Sequence, residues 1–446
     1  MKKRQLLTSI LLFILIGALA ISPLALAAPY GGNPQHQAHA VLLADIETGD
    51  ILYARNEHER IHPASTTKIM TALLAVEALE RGEVSIGDLL VTTEAALADM
   101  VPLGSSLELE VDEEMSFEAL LYAVMLISAN DASNVIAERI GGSIENFIQM
   151  MNQRAQELGA HNTNFSNTHG LTADNHYSTA YDLFRITQHA ITLPRFVELY
   201  AEQERAFAAT NMRPAGLLRS TNFMTDSSSP YFYLHAHGVK TGFTSAAGLC
   251  LISTAFLNDI HLLAVVMGVP ADEEEVNHFT ESAIIYDWAF ENFAHREILS
   301  SSTVIVEVPV EFGDNADFVT LFPAESIISL VQEGVGLDRF QREVTIFHEE
   351  TGETLQAPIA QGQVLGEVTY TDGTRTFGPI PLVAGQAVHL SRVAYMRYDV
   401  AGVLESLWVR LIIGLLILLI ALYIVFAIRH TIKKRKRKKE RMGRRR

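Results

Sequence analysis

Cysteine is almost missing from these 446 residues: Cys250 is the single instance, so no intramolecular disulfide can form. It sits in the apolar run Leu249-Cys250-Leu251-Ile252 with no basic neighbour, which reads as a small core side chain rather than a nucleophile. Positive charge is also scarce in the body of the chain. The formal net charge is −18, yet the last 18 residues carry about +11 and the first 28 about +3, which leaves roughly −32 for the remainder. A surface that acidic excludes nucleic-acid binding through a phosphate footprint. No internal repeat occurs, and no low-complexity segment outside the basic tail. The 16 histidines offer no metal set: His235 and His237 would share a strand face, but no third ligand follows at suitable spacing. No metal and no organic cofactor is expected.

Long apolar runs occur only at the two ends. Met1–Ala28 opens on Lys2, Lys3 and Arg4, continues apolar, and closes on Ala25-Leu26-Ala27, the small-x-small pattern of a cleavage site. Residues 1–27 are expected to be a secretory signal peptide. Near the other end, Leu411–Ile428 has no charged residue and makes about 27 Å of helix against roughly 30 Å of hydrocarbon. Leu407–Val409 extend it if Arg410 snorkels. Residues 407–428 are therefore expected to span a membrane. The tail 429–446 holds 12 Lys or Arg and one Glu, which assigns it to the cytoplasm and the preceding chain to the outside.

Between the ends, Val41-Leu42-Leu43 and Ile51-Leu52-Tyr53 flank the turn Glu47-Thr48-Gly49-Asp50, an antiparallel hairpin. Helices are expected from Ser65 to Arg81, from near Ser116, and from Asp131 to Ile140 with a stop at Gly141-Gly142. Strands return at 238–241, 248–256 and 261–269, followed by a helix over about 273–293. That order predicts an α/β (α+β) domain over 35–298, an antiparallel sheet flanked by helices with a helical insert. From Thr303 the helical period is gone. Short strands at 304–310, 343–347 and 364–369, with turns at Thr351-Gly352 and Asp372-Gly373, predict a small all-β domain over 303–393.

Three short motifs carry chemistry. In Ser65-Thr66-Thr67-Lys68, positions i and i+3 share one face of a first helical turn, so a hydroxyl and an amine can meet. A lysine deprived of water, or placed beside another cation, gives up its proton and becomes a base. Ser128-Ala129-Asn130 lies in the break between two helices. In Lys240-Thr241-Gly242, strand alternation puts Lys240 and Gly242 on one face, and the bare Gly242 would let a substrate backbone lie along that edge. Taken singly, each has an ordinary alternative: a serine helix cap, a polar turn, a strand end. A second Ser-x-Asn, Ser220-Thr221-Asn222, shows how common such triplets are. The three together in this order match the set used by penicillin-recognising serine enzymes.

Pro63-Ala64-Ser65-Thr66-Thr67-Lys68-Ile69-Met70-Thr71 resembles the active-site helix of the low-molecular-weight penicillin-binding proteins, the serine D-alanyl-D-alanine carboxypeptidases of peptidase family S11. So do Ser128-Ala129-Asn130-Asp131-Ala132, Asn167-Thr168-His169-Gly170-Leu171, His176-Tyr177-Ser178-Thr179-Ala180 and Lys240-Thr241-Gly242-Phe243-Thr244. Ala357-Pro358-Ile359 and Gly362-Gln363-Val364-Leu365-Gly366 are similar to that family's C-terminal domain. The C-terminal span departs from the amphipathic helix of the best-known members.

The resemblance implies peptidoglycan stem peptides ending in D-Ala-D-Ala as substrates and β-lactams as inhibitors. It implies Ser65 as nucleophile, Lys68 as its base, Ser128 as proton relay to the leaving amine, and Asn130 as holder of the peptide amide and of Lys68. Lys240 and Thr241 would bind the terminal carboxylate, with Gly242 and Phe243 completing the strand edge. Lys240 would keep Lys68 neutral by repulsion, and the N–H groups of Ser65 and Phe243 would form an oxyanion hole. His169 is expected to be structural. A β-lactamase is the nearest rival, disfavoured by the tether and the β domain. A membrane β-lactam sensor would need a larger cytoplasmic effector than 18 residues, and a pure scaffold would leave the three motifs without use.

Overall fold

The computed structural model of the protein describes residues 32–443 apart from 102–103, 272–276, 335, 337–338, 353 and 374. The expected signal peptide over 1–27 lies outside the described residues. The chain divides into two compact units. One runs to Arg296 and takes in Leu330–Val335; the other comprises Glu297–Ser329 and the chain from Gly336 onward.

The first unit is built on a five-stranded antiparallel sheet. Its strands are β1 (Ala40–Asp45), β2 (Ile51–Arg55), β3 (Ala236–Thr244), β4 (Gly248–Leu257) and β5 (Ile260–Val269), in the spatial order β2-β1-β5-β4-β3. The expected hairpin is there, with Leu42 opposite Ala54 and Leu43 opposite Tyr53. All six residues of β1 are buried because both faces of the sheet are covered. Ala40, Leu42 and Ala44 face one apolar cluster with Ile69, Leu73 and Val76, while Val41 and Leu43 face another with Ile285, Tyr286 and Ala289. Cys250 belongs to the first cluster, and burial pushes its thiol up to about 11, as befits an inert core residue.

The long stretch between β2 and β3 is the helical insert. Its central element, α1 (Lys68–Glu80), is buried from Lys68 through Val76, which a helix needs when neighbours surround it. Helices α2 (Phe117–Leu126), α3 (Asn130–Gly141), α4 (Ile144–Glu157), α5 (Ala180–Ala190) and α6 (Pro194–Ala201) follow. Their ends obey local rules. The Ser116 hydroxyl accepts from the Ala119 N–H at the start of α2, and α3 stops at Gly142 with φ 75°. On the other face lies α7 (His278–Asn292), opened by Asn277, whose side chain accepts from the N–H groups of Phe279 and Thr280. It starts later than the 273 expected, and residues 273–276 are not among those described.

The second unit carries another five-stranded antiparallel sheet: β6 (Val306–Pro309), β7 (Phe318–Pro323), β8 (Gln341–Ile346), β9 (Val364–Thr371) and β10 (Thr376–Ala384), ordered β6-β7-β10-β9-β8. Strands β7 and β10 were not anticipated. Pro379 and Pro381 lie within β10, which meets β7 only over Leu382–Ala384, so neither proline interrupts that ladder. The strand expected to reach Phe347 ends at Ile346, and a short helix α8 (Phe347–Thr351) closes on Gly352, where a turn was expected. Helices α9 (Arg392–Glu405) and α10 (Leu407–Gly443) end the described chain. The segment Leu407–Arg437 is long and apolar enough to cross a membrane. The helix passes through the basic residues from Arg429 without a break.

Leu263 is fully buried in the middle of β5, between its paired neighbours β1 and β4. Truncating it to alanine leaves a cavity the sheet cannot collapse around, and should cost about 2–5 kcal/mol in urea unfolding of the first unit's transition.

Candidate active site

The approach to α1 departs from a plain helix. Ala64 takes φ 48°, an unusual value for a residue with a Cβ, and Ala64–Thr67 form a 3-10 turn before the α-helix begins at Lys68. The alternative reading of Ser65 as a plain helix cap does not hold: no side chain caps either segment. With three residues per turn, Ser65 and Lys68 eclipse one another, which brings hydroxyl and amine together more directly than α geometry would.

The Lys68 side chain is fully buried, and its Nζ has three partners. Asn130 Oδ1 and the His169 carbonyl each lie 2.7 Å away, and Ser65 Oγ lies at 3.1 Å. Burial holds the amine well below its ordinary range, the charge of Lys240 adds to that, and the Asp131 carboxylate opposes both. Repulsion by Lys240, the expected cause, is thus second to desolvation. Burial also brings Lys240 itself down to about 7.

A neutral amine has two hydrogens and one lone pair. The Asn130 and His169 oxygens can only accept, so they take both hydrogens. In that neutral form the lone pair would face the Ser65 hydroxyl, which could donate toward Lys68, whereas the charged amine donates to all three oxygens. A hydroxyl and a buried amine already in contact form the arrangement that nucleophile–base chemistry requires.

Ser128 sits at the break before α3 with φ 61°, and its buried Oγ has no hydrogen-bond partner among the described residues. An unpaired buried hydroxyl beside Asn130 is a group held ready for a ligand. Asn130 begins α3, its N–H donating to the Ser105 carbonyl. Next to it the buried Asp131 carboxylate accepts from Ser106 Oγ (2.6 Å) and from the N–H groups of Leu107 and Leu109 (3.0 Å each), which fastens the 106–109 loop to the site.

Strand β3 forms the opposite wall and is an edge of the sheet. Lys240 is buried, its Nζ donating to the Thr241 carbonyl at 3.1 Å, while Phe243 is 53 % exposed. Gly242, expected to leave room for a substrate backbone, also faces the nucleophile's own turn. A Cβ there would lie 3.1 Å from both the Ser65 and Thr66 nitrogens, so its bareness lets the strand press against the nucleophile's own turn. The Thr241 hydroxyl meets Thr221 Oγ1 at 3.0 Å, so the triplet Ser220-Thr221-Asn222, a chance match in the sequence, also borders the cleft.

His169 is structural, as expected. Its Nε2 lies 2.9 Å from Asp99 Oδ2, and burial, outweighing that carboxylate, keeps the ring below its usual range and neutral. Its role is to present its carbonyl to Lys68. Asn134 ties the same loop in place, donating to Asp99 Oδ1 at 2.8 Å and accepting from Thr168 Oγ1 at 2.6 Å. His176 accepts from the Ser166 N–H through Nδ1, so Nε2 donates to Thr67 Oγ1 at 2.8 Å; burial drives its pKa to about 3. Asp99 and Asn134 had no sequence signal, being joined to the site only across the fold. Among the described residues no group of three His, Cys, Asp or Glu could hold a metal ion.

A nucleophile-base pair on a 3-10 turn, an orphaned serine before a helix, and a lysine-bearing edge strand define a penicillin-recognising serine enzyme. Residues 28–271 match the family model for D-alanyl-D-alanine carboxypeptidase, peptidase S11, and residues 293–390 match the C-terminal domain of penicillin-binding protein 5. The D-alanyl-D-alanine carboxypeptidase DacF of Bacillus subtilis is 32 % identical over 387 residues, 85 % of this chain and 94 % of that protein. DacA of Haemophilus influenzae is 33 % identical over 347 residues, 76 % of this chain and 81 % of the relative. The crystal structure of penicillin-binding protein 5 from Haemophilus influenzae superposes with a TM-score of 0.61 at 31 % identity, covering 80 % of this chain and 98 % of that one. The chain belongs to the serine D-alanyl-D-alanine carboxypeptidase family S11.

Gly170 has φ 93°, and a Cβ there would lie 1.8 Å from the Ala64 carbonyl oxygen. Gly170→Ala should therefore displace the loop that supplies the His169 carbonyl. We expect a loss of about 3 kcal/mol or more in thermal unfolding, with slower acylation of the folded fraction.

Proposed function

We propose that this enzyme removes the terminal D-alanine from peptidoglycan stem pentapeptides through a Ser65 acyl-enzyme, trimming wall precursors and limiting their cross-linking. The observation that carries this is the fully buried Lys68, held by burial well below its ordinary range, with its Nζ 3.1 Å from Ser65 Oγ. Ser65 Oγ attacks the carbonyl between the two D-alanines as its proton passes to Lys68 Nζ. The C–N bond breaks, and the leaving amine takes a proton relayed through Ser128. Water then attacks the ester, Lys68 receives its proton, and Ser65 leaves with a proton restored. The N–H groups of Ser65 and Phe243 are suited to the developing oxyanion, at about 3 kcal/mol of barrier per donor. Lys240 and Thr241 hold the terminal carboxylate, and Asn130 holds the substrate amide. β-Lactams acylate Ser65 as mimics of the same substrate.

The organisation that serves this chemistry is a cleaved signal over 1–27, a catalytic domain over 35–298, a β domain over 303–393, a membrane span over 407–428 and a basic tail over 429–446. The charge asymmetry about the span supports a catalytic domain outside the cell and a tail in the cytoplasm. A β-lactamase reading is disfavoured by the match of 293–390 to a penicillin-binding protein domain.

Mass spectrometry after brief exposure to penicillin should map the adduct to Ser65. Ser65→Ala should abolish it and reduce D-alanine release from a pentapeptide by at least about a thousandfold. Rapid turnover of nitrocefin with no stable adduct would instead mark a β-lactamase, and a stable adduct without D-alanine release would mark a sensor.

The pH profile follows from the two lysines. Lys240 must be charged to bind the carboxylate, and its depressed value means that charge is lost as pH rises through about 7. In the free enzyme kcat/KM should fall on the alkaline side from that region. Arginine keeps its charge there, so Lys240→Arg should remove the alkaline limb, though at a lower plateau.

A further inference from the structure

Asp131 fastens the 106–109 loop to the site from one side, and a second clamp closes on the same loop from the other. The Arg213 guanidinium donates through Nε and Nη2 to the two oxygens of Glu113, at 2.5 and 2.7 Å. Its Nη1 reaches the Leu107 carbonyl at 2.6 Å, and Nη2 also reaches the Glu108 carbonyl at 2.7 Å. Glu113 is fully buried. Burial alone would raise its carboxyl, but hydrogen bonds from Arg213, Thr210 and the Glu110 N–H hold it below the usual carboxylate range. Thr210 and Arg213 stand in the segment that joins two paired strands, Glu204–Phe207 and Gly216–Arg219. Asn211 adds two bonds from that segment, accepting from the Glu114 N–H at 2.9 Å and donating to the Asp112 carbonyl at 2.8 Å.

Two links carry this clamp to the catalytic groups. The Leu107 backbone is pinned on both sides, its N–H by Asp131 and its carbonyl by Arg213. Just before it, the Ser105 carbonyl accepts from the Asn130 N–H at 2.9 Å, and a Cβ on Gly104 would lie 3.2 Å from Asn130 Nδ2. The loop backbone thus rests on the residue whose Oδ1 meets Lys68 Nζ. Glu108 holds φ 58°, a value that a side chain with a Cβ seldom adopts, so the loop is shaped by bonds from outside rather than by local preference.

We propose that Arg213 is a positioning residue for acylation: by holding the Leu107 and Glu108 carbonyls it keeps the loop, and through Ser105 the Asn130 side chain, where Lys68 and the substrate amide need it. The proposal rests on the carboxypeptidase reading, in which Asn130 holds both. Guanidinium suits the task because its planar fork grips a carboxylate along one edge and keeps donors for two carbonyls. The point charge of lysine has no such spread.

The test separates holding the loop from holding the fold. Full-length enzyme in detergent is acylated with a fluorescent penicillin, the rate is expressed per titrated active site, and thermal unfolding is followed in parallel. Arg213→Gln should slow acylation about tenfold, the scale of a small misplacement, and should lower Tm because it strands the buried Glu113 charge. Arg213→Met combined with Glu113→Leu removes both charges together, so it should recover the stability but not the rate, since both carbonyls stay unheld. Glu113→Gln keeps Arg213 on those carbonyls and should acylate at close to the normal rate, and Arg213→Lys should recover part of what Arg213→Gln loses. In an Asn130→Ala background, Arg213→Gln should cost no further rate, because the two act through one group. A normal acylation rate in the Arg213→Met, Glu113→Leu enzyme, or a full tenfold loss on top of Asn130→Ala, overturns the positioning role and leaves the carboxypeptidase reading intact. Absence of any adduct on Ser65 in the unaltered enzyme overturns that reading itself, and the positioning role with it.

Discussion

An amine sealed from water is the constraint around which the first unit is arranged. A charged lysine in a dry interior would cost on the order of several kcal/mol, and among the described residues no carboxylate is in contact with Lys68 to offset that. What it provides are two oxygens that accept hydrogens and one hydroxyl that can give or accept one. The three oxygens can satisfy the amine in either form, and it is burial that disfavours the charged one. Asp131, whose field acts the other way, is occupied by Ser106 and the Leu107 and Leu109 amides, so its charge is spent on fastening a loop. The base is made by exclusion of water first and by a neighbouring cation second.

That arrangement needs its acceptors held still, which accounts for much of the surrounding polar network. The His169 carbonyl is fixed because its ring is anchored by Asp99, because Asn134 and Thr71 hold Thr168 on either side, and because Gly170 lets the loop approach Ala64. His176 steadies Thr67 from beneath the turn. None of these groups need touch a substrate. Their contribution is to keep Nζ, Oγ and two oxygens within a few tenths of an ångström, the tolerance that positioned catalysis requires.

The order of chemical motifs was legible in the sequence because each is a local pattern on one element: a turn, a helix start, a strand. The helices α2 and α3 were legible for the same reason, since Ser116 and Gly142 mark their ends within a few residues. What the sequence could not display are relations that exist only once distant segments meet. Gly242 read as room for substrate, yet its missing Cβ is required by the Ser65 turn, 177 residues away in the chain. The serine that looked like a helix cap caps nothing, because Ala64 turns the chain into a 3-10 entry instead. Asp99 lies 70 positions from the histidine it anchors.

The same geometry also settles how an exposed sheet edge can be kept without becoming a liability. Strand β3 has β4 on one side only, and an open edge invites pairing with any passing strand. Here one end of that edge is pressed against the nucleophile's turn at Gly242, and its charge, Lys240, is buried rather than displayed. The stretch left for a guest is short, and it is flanked by the groups that cut. In the proposed reaction a peptide that adds itself there would be read by its direction, since its carboxylate would have to reach the buried cation before its carbonyl could reach Ser65. Selectivity for a chain end over a chain middle would then come from the strand's polarity and from the depth of Lys240, before any side chain of the substrate is considered.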